Sequence, residues 1–236
     1  MAFIEAKNLE KNYPDGTQAL QGISLSINKG EFTAIMGPSG SGKSTLLHIL
    51  GFLDIQTKGE YHFEGKTISD YKTDEIARVR NEKMGFIFQA FNLLPKSTVF
   101  ENVQLPLLYS GVKESLWREM TIKAIEAVGL SHRINHESSK LSGGEKQRAA
   151  IARALVNNAE VIFADEPTGN LDSKSGQMIM KTIQKLNEEK GYTVILITHE
   201  TYTAEHAQRI IRLRDGKIES DELVNGRRRA GDNFIK

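Results

Sequence analysis

Cysteine is missing from all 236 residues. Disulfide bonds and thiolate metal sites are therefore excluded, and the chain is compatible with a reducing cytosol. Neither sign of charge dominates: 31 Lys and Arg stand against 30 Asp and Glu, a formal net charge of +1. A strongly basic nucleic-acid binder is not indicated, and no nucleic-acid partner is expected. Long apolar runs are lacking too. None approaches the roughly 20 residues that span a bilayer, and Met1-Ala2-Phe3-Ile4-Glu5-Ala6-Lys7 has no cleavable signal pattern. The chain is expected not to cross a membrane itself. It has no internal repeat and no low-complexity tract. What is present, 39% hydrophobic and 26% charged residues, is ordinary globular composition. It suits one large α/β domain, or a main domain with an insertion.

Hydrophobic periodicity predicts a half-exposed strand over 20–27 and a continuous apolar strand over 31–36, then a loop at 37–42 and a helix over 43–52. Strand and turn are expected over 60–68, a polar helix over 73–82 and a buried strand over 84–88. Residues 90–140 carry helical patterns without a convincing strand and read as a helical subdomain inserted into an α/β core. Beyond it the pattern gives a helix over 143–156, a strand over 160–164, a helix over 174–189, a strand over 193–198 and a short helix near 202–208. Asp215-Gly216 is a hairpin-type turn. Strands alternating with helices imply a largely parallel sheet. The expected division is a single domain over 1–236, with a core of 1–89 and 141–224, a helical subdomain over 90–140 and a tail over 225–236. That tail, with Arg227, Arg228 and Arg229, lacks periodicity and is expected to be mobile and solvated.

One short stretch concentrates chemistry. Gly37-Pro38-Ser39-Gly40-Ser41-Gly42-Lys43-Ser44-Thr45 satisfies G-x-x-x-x-G-K-[ST] between a strand and a helix. Glycines let such a loop wrap with its N–H groups pointing inward. Those donors and the positive end of the following helix hold phosphates. Lys43 is placed to reach the β- and γ-phosphates, and the Ser44 hydroxyl to ligate Mg²⁺. The bland alternative is a flexible glycine turn. A second strand, Val161-Ile162-Phe163-Ala164, ends in Asp165-Glu166. Asp165 is expected near Ser44 to hold Mg²⁺, directly or through water, and Glu166 to polarise an attacking water. Asp-Glu-Pro is also good chemistry for a plain turn.

Leu141-Ser142-Gly143-Gly144-Glu145 opens a further helix. Ser142 and Glu145 make a capping box. The box leaves unexplained two glycines in a first turn, where they disfavour helix. Glycines there let a second anion approach the helix start. The chain thus offers two anion-binding helix starts about 100 residues apart, and one nucleotide site rarely needs both from one subunit.

With these motifs the chain resembles the nucleotide-binding subunit of ABC transporters over nearly its whole length, LSGGE matching the family signature. The resemblance implies a P-loop NTPase core with a mostly parallel sheet, an antiparallel β region and an inserted α-helical subdomain. It implies hydrolysis of ATP with Mg²⁺. It also implies a second copy of the chain as partner, bound head to tail so that Ser142, Gly143, Gly144 and Glu145 of one close on the nucleotide held by Gly37 to Thr45 of the other. Tyr13 falls where the family stacks an aromatic ring on adenine. Gln89 matches the glutamine that senses Mg²⁺, Asp172 the aspartate that communicates across the dimer, and His199 the histidine that contacts the γ-phosphate. On this resemblance Glu166, His199, Lys43 and Gln89 are the catalytic set, and Ser44, Gln89 and Asp165 the metal set. Each also has a bland reading: Tyr13 as a packing ring, Gln89 as a loop cap, Asp172 as a helix cap, His199 as a structural histidine.

Phe91-Asn92-Leu93-Leu94-Pro95, the stretch Glu101-Asn102-Val103-Gln104-Leu105-Pro106-Leu107-Leu108-Tyr109, and Asp165-Glu166-Pro167-Thr168-Gly169-Asn170-Leu171-Asp172 resemble one branch. It contains MacB-type macrolide exporters, lipoprotein-releasing ATPases and the cell-division ATPase, with the MacB type nearest. This implies a transmembrane permease subunit or fused membrane domain as partner, and a peripheral place on the cytoplasmic face of the inner membrane. The work done there is export, extraction or transmission of force; a regulatory, non-transport role of the cell-division type is the alternative. Whether the chain is a separate subunit or an excised domain stays open. Phe91, Leu93, Leu94, Val99 and Phe100 are expected to supply a groove for the membrane partner, or else to fill the subdomain's own core.

Overall fold

The computed structural model describes residues 2–229. Ten strands and seven α-helices follow in the order β1 (Ile4–Asn12), β2 (Gln18–Ile27), β3 (Phe32–Met36), α1 (Lys43–Leu50), β4 (Lys58–Phe63), β5 (Lys66–Thr67), α2 (Thr73–Lys83), β6 (Met84–Ile87), α3 (Val99–Gln104), α4 (Glu114–Ala127), α5 (Gly143–Leu155), β7 (Val161–Asp165), α6 (Ser173–Lys190), β8 (Thr193–Thr198), α7 (Thr201–Ala204), β9 (Arg209–Arg214) and β10 (Lys217–Leu223) among the described residues. The strands form two sheets. One is antiparallel, in the order β2-β1-β4-β5. The other runs β10-β9-β3-β8-β7-β6, with only the edge strand β10 antiparallel to its neighbour. The expected mostly parallel sheet with an antiparallel β region is therefore present.

The parallel sheet is buried on both faces, which is why its strands read as unbroken apolar runs. Alternate residues feed two cores. Phe32, Ala34, Ile162, Ala164, Val194 and Leu196 pack with Val103, Ile125, Ile151, Ile179 and Ile183 from the helices α3 to α6. Ile35, Val161, Phe163, Ile195 and Ile197 pack on the other side with Leu46, Leu47 and Leu50 of α1 and with Ile4, Leu9, Leu20 and Ile23 of the antiparallel sheet. The sheet is thus clamped between a helical layer and a β layer, with α1 inside the second core.

β1 is a strand that the sequence pattern did not announce. Its pairing with β2 is interrupted between Ala6 and Leu9 and again near Glu10, and Asn8 sits at φ 49. Those bulges break the two-residue alternation that betrays a strand. Near 202–208 only one helical turn forms, at Thr201–Ala204.

The tail expectation is corrected for residues 225–229. The Val224 amide donates to the Gln208 carbonyl (2.9 Å), and the Arg228 carbonyl accepts from Gln184 Nε2 (2.7 Å). Arg227 donates to the His206 carbonyl and to Glu188, and its guanidinium lies 5.3 Å from the Phe32 ring centre. Arg228 pairs with Glu205 and covers the Tyr202 ring at 4.5 Å. Arginine stems lie well on apolar and aromatic surface, so a basic triplet does not by itself mean a solvated one. Residues 230–236 of the expected tail lie outside the described residues. No helix among the described residues is long and apolar enough to cross a membrane.

Candidate functional site

Strand register builds the site. Met36 of β3 lies opposite Thr198 of β8, and Asp165 of β7 opposite Ile197. Three parallel strands therefore end at one level. The loop 37–42, the pair Asp165-Glu166 and His199 emerge side by side at their carboxyl edge, where open α/β sheets place ligands. A cavity of about 700 Å³ opens there. It is lined by Tyr13, Pro38, Ser39, Gly40, Gly42, Lys43, Ser44, Thr45, Gln89, Asp165, Glu166 and His199. Thr17, Gln18 and Ala19 also line it; no sequence signal had pointed to them.

The loop needs glycine at defined points. Gly42 caps α1 at φ 98, and a Cβ there would lie 2.4 Å from the Ala19 carbonyl oxygen. A Cβ on Gly37 would meet the Leu213 carbonyl oxygen at 2.2 Å. The loop is thereby pressed against β2 and β9, and no side chain caps the first turn of α1. Its amides are left to an outside acceptor. Gly37 and Ser41 stand behind the cavity rather than in it, and Ser41 Oγ is buried without a partner.

The charges in the cavity are poised against one another. Lys43 Nζ donates to the Pro38 carbonyl of its own loop (2.8 Å). Burial lowers its pKa, opposed by the charges of Glu166 and Asp165. Burial, then the neighbouring Glu166 charge, raises the Asp165 pKa, opposed by His48 and Lys43. Glu166 takes the left-handed conformation (φ 46). Its Oε1 accepts from the His199 amide (3.1 Å) and lies 2.7 Å from His199 Nδ1, while Oε2 is buried without a partner. Gln89 is tied to the segment after Glu166: its carbonyl accepts from Asn170 Nδ2 (3.0 Å), and a Cβ on Gly169 would lie 2.6 Å from its Nε2.

Besides Gly37 and Ser41, five expected residues stand outside this cavity: Ser142, Gly143, Gly144, Glu145 and Asp172. Ser142 caps α5, its Oγ accepting from the Glu145 amide (3.3 Å) and its own amide donating to Glu145 Oε2 (2.9 Å). Burial works to raise the Glu145 pKa. The Ser142 amide and the Arg133 guanidinium (2.9 Å) outweigh it and bring it to about 2. Asp172 caps α6 through the Ser175 amide (2.9 Å) and hydroxyl (2.7 Å). The two glycines have a local cause in addition to any anion. A Cβ on Gly144 would lie 2.9 Å from Ser175 Oγ, and one on Gly143 3.2 Å from Leu171 Cδ2. The start of α5 is pressed onto the start of α6.

Of the five residues offered either as a partner groove or as the subdomain's own core, most take the core role. Val99 is fully buried in the core, and Phe91, Leu93 and Phe100 pack against it. Leu94 stays 49% exposed, and its backbone is fixed there by the Asn102 side chain, which bonds both its amide and its carbonyl (2.7 and 3.1 Å).

A glycine loop between a parallel strand and a helix, facing the acidic end of the next-but-one strand, defines the P-loop nucleoside triphosphatases. Residues 20–169 match the family described as ABC transporter. The chain belongs to that family, as the signature at 141–145 led one to expect, and is an ATP hydrolase of its kind. It is 52% identical over 225 residues to a macrolide export ATP-binding/permease protein MacB of Bdellovibrio bacteriovorus, covering 94% of this chain and 34% of that one. The chain thus spans about a third of the length of that relative. It is 51% identical to an uncharacterized ABC transporter ATP-binding protein of Methanocaldococcus jannaschii, over 94% of this chain and all of that one. Among solved structures it is similar to the ATP-binding cassette MJ0796 of the same organism, a dimer in a post-hydrolysis state bound to ADP and Pi. The TM-score is 0.85, with 44% identity, over 94% of this chain and 99% of that one.

Proposed function

We propose that this chain binds ATP with Mg²⁺ at the β3–α1 loop, closes head to tail on a second copy of itself, and uses the closure and the following hydrolysis to drive a membrane-embedded partner. The observation that carries the reading is the separation just described. The exposed Ser142 and its glycines lie outside the cavity formed by the chain's own phosphate loop. A second copy supplies them, and an isologous pair makes two complete sites. The dimeric state of the solved relative supports this.

In this reading the loop amides and Lys43 hold the triphosphate, Lys43 leaving the Pro38 carbonyl for the phosphates, and Tyr13 stacks on adenine. The residues fit a divalent cation: two carboxylates face a single ammonium, and burial makes the inner one costly to ionise alone. Ser44, Asp165 and Gln89 would hold Mg²⁺, which would neutralise charge on the phosphates; no group of three or more acidic, His or Cys side chains that could hold a metal occurs among the described residues. Glu166 is held at Oε1 by His199, and its unpartnered Oε2 accepts the proton of the attacking water. His199, which lines the same cavity, stabilises charge developing on the γ-phosphate. Loss of that phosphate removes the contact that joins the copies, and they part.

The MacB relatives support an export or force-transmitting role, with the chain peripheral on the cytoplasmic face of the cell membrane. Leu94 offers the membrane partner an exposed apolar contact. The dimeric core of the proposal is tested by mixing two inactive variants. Lys43→Ala disables the loop of one chain and Ser142→Arg the signature of the other. Random pairing restores one good site in half the dimers, so an equal mixture should regain about a quarter of wild-type turnover. A mixture as inactive as its components would refute shared sites.

A further inference from the structure

Tyr13 does not stand alone. It follows directly on β1, and Lys11 of that strand places its ammonium 5.0 Å from the Tyr13 ring centre. The same ammonium donates to Asp54 Oδ1 (2.6 Å) and to the Ile55 carbonyl (2.7 Å). The other carboxylate oxygen of Asp54 accepts from the Tyr13 hydroxyl (3.3 Å), which also lies 3.4 Å from Thr45 Oγ1. The turn beyond the ring is closed by the Tyr13 amide donating to the Thr17 carbonyl (2.9 Å). Burial works to raise the Asp54 pKa. The hydrogen bonds from Lys11 and the Ile55 amide, the Lys11 charge and the Tyr13 hydroxyl outweigh it, so the carboxylate stays ionised at neutral pH. The ring is therefore gripped at its edge and on one face.

The two grips sit on meaningful elements. Thr45 belongs to the first turn of α1, and Asp54 follows four residues after its last residue, Leu50. The helix that follows the phosphate loop thus holds Tyr13 from its first turn, through Thr45, and from the segment beyond its last turn, through Asp54. Tyr13 and Thr45 line the cavity, but Lys11 and Asp54 do not. Lys11 therefore covers a ring that lines the cavity without entering the cavity itself.

We infer that Lys11 and Asp54 are positioning residues for base recognition: they lock the Tyr13 ring at a fixed distance from the phosphate loop, with one face closed by an ammonium and the other left for a nucleotide's adenine. The inference rests on the reading of Tyr13 as the base-stacking residue. A cation behind an aromatic ring also polarises it, and a ring already fixed loses less freedom when the base arrives.

The test compares affinity for ATP with affinity for inorganic tripolyphosphate, both with Mg²⁺, by titration calorimetry on the full chain. Tripolyphosphate keeps the loop contacts and lacks the base. Tyr13→Ala should weaken ATP binding by roughly 10-fold and leave tripolyphosphate unchanged. Lys11→Met and Asp54→Ala should each weaken ATP by about 3-fold, again with tripolyphosphate unchanged, and Lys11→Arg should keep the wild-type ratio. Partial unfolding of a variant lowers both affinities together, so the ratio reports positioning and not stability. If Tyr13→Ala lowers the ratio while Lys11→Met and Asp54→Ala do not, the inference falls and the base site stands. If Tyr13→Ala leaves the ratio unchanged, the base site falls and the inference with it.

Discussion

Gly144 can be asked which of two masters it serves. As a helix residue it costs up to about 1 kcal/mol relative to alanine. Its missing side chain has a near neighbour within the same chain, since a Cβ would lie 2.9 Å from Ser175 Oγ and 3.1 Å from Ser175 Cβ. Ser175 cannot simply turn away, because its hydroxyl donates to Asp172 Oδ2 at 2.7 Å. Gly144→Ala should therefore gain helix propensity and lose more. Overpacking costs about 1–3 kcal/mol, and the displaced hydroxyl bond about 1 kcal/mol. A net loss of about 1–2 kcal/mol in urea unfolding follows. Adding Ser175→Gly removes both clashing atoms, so the double variant should unfold within about 1 kcal/mol of the wild type. Turnover separates the two masters. If the glycine also admits the phosphate held by a second copy, the double variant regains stability but stays at least about tenfold slow in ATP hydrolysis. Full recovery of both would show that Gly144 serves only the α5–α6 contact, and the proposed second phosphate contact at this helix start would lose its support.

Glu166→Gln keeps the shape of the acceptor but cannot take a proton, so hydrolysis should slow by at least about 100-fold while ATP still binds. The variant should then accumulate as a dimer; size-exclusion chromatography with ATP that shows only monomer would refute the coupling. Glu145 makes acid stability informative. Its folded pKa of about 2 lies below the ordinary 4.5, so the stabilisation it gives is complete above pH 4.5 and is lost as the pH falls towards 2. With the Arg133 partner partly exposed, the size is about 1–2 kcal/mol rather than the full shift. Glu145→Gln should accordingly trail the wild type by that amount at pH 7 and by less at pH 3.5 in urea unfolding; an unchanged gap would show that Arg133 and the cap do not depend on its charge.

The loop 37–45 and the pair Asp165-Glu166 were legible because their chemistry is local. A strand end, a turn and a helix start lie within ten residues, and the sheet register brings the pieces together without further instruction. The relation of Gly144 to Ser175 was not legible, since it couples the starts of two helices 31 positions apart through one hydroxyl. The same holds for Tyr13, whose supports come from Thr45 and Asp54, and for Arg227, read as solvated yet lying over Phe32. In each case sequence names a residue type correctly and misjudges the pressure on it, because that pressure comes from a distant segment. The consequence bears on the mechanism. Gln89 holds Asn170 by a hydrogen bond, the backbone runs on from Asn170 to Asp172, and Asp172 holds Ser175 beside Gly144, which makes a path from the cavity to the start of α5. A displacement of Gln89 on ligand binding would thus have a route to the surface proposed for the second copy. The Gly144 and Ser175 pair of variants probes the last link of that route, and turnover that followed packing alone would break it there.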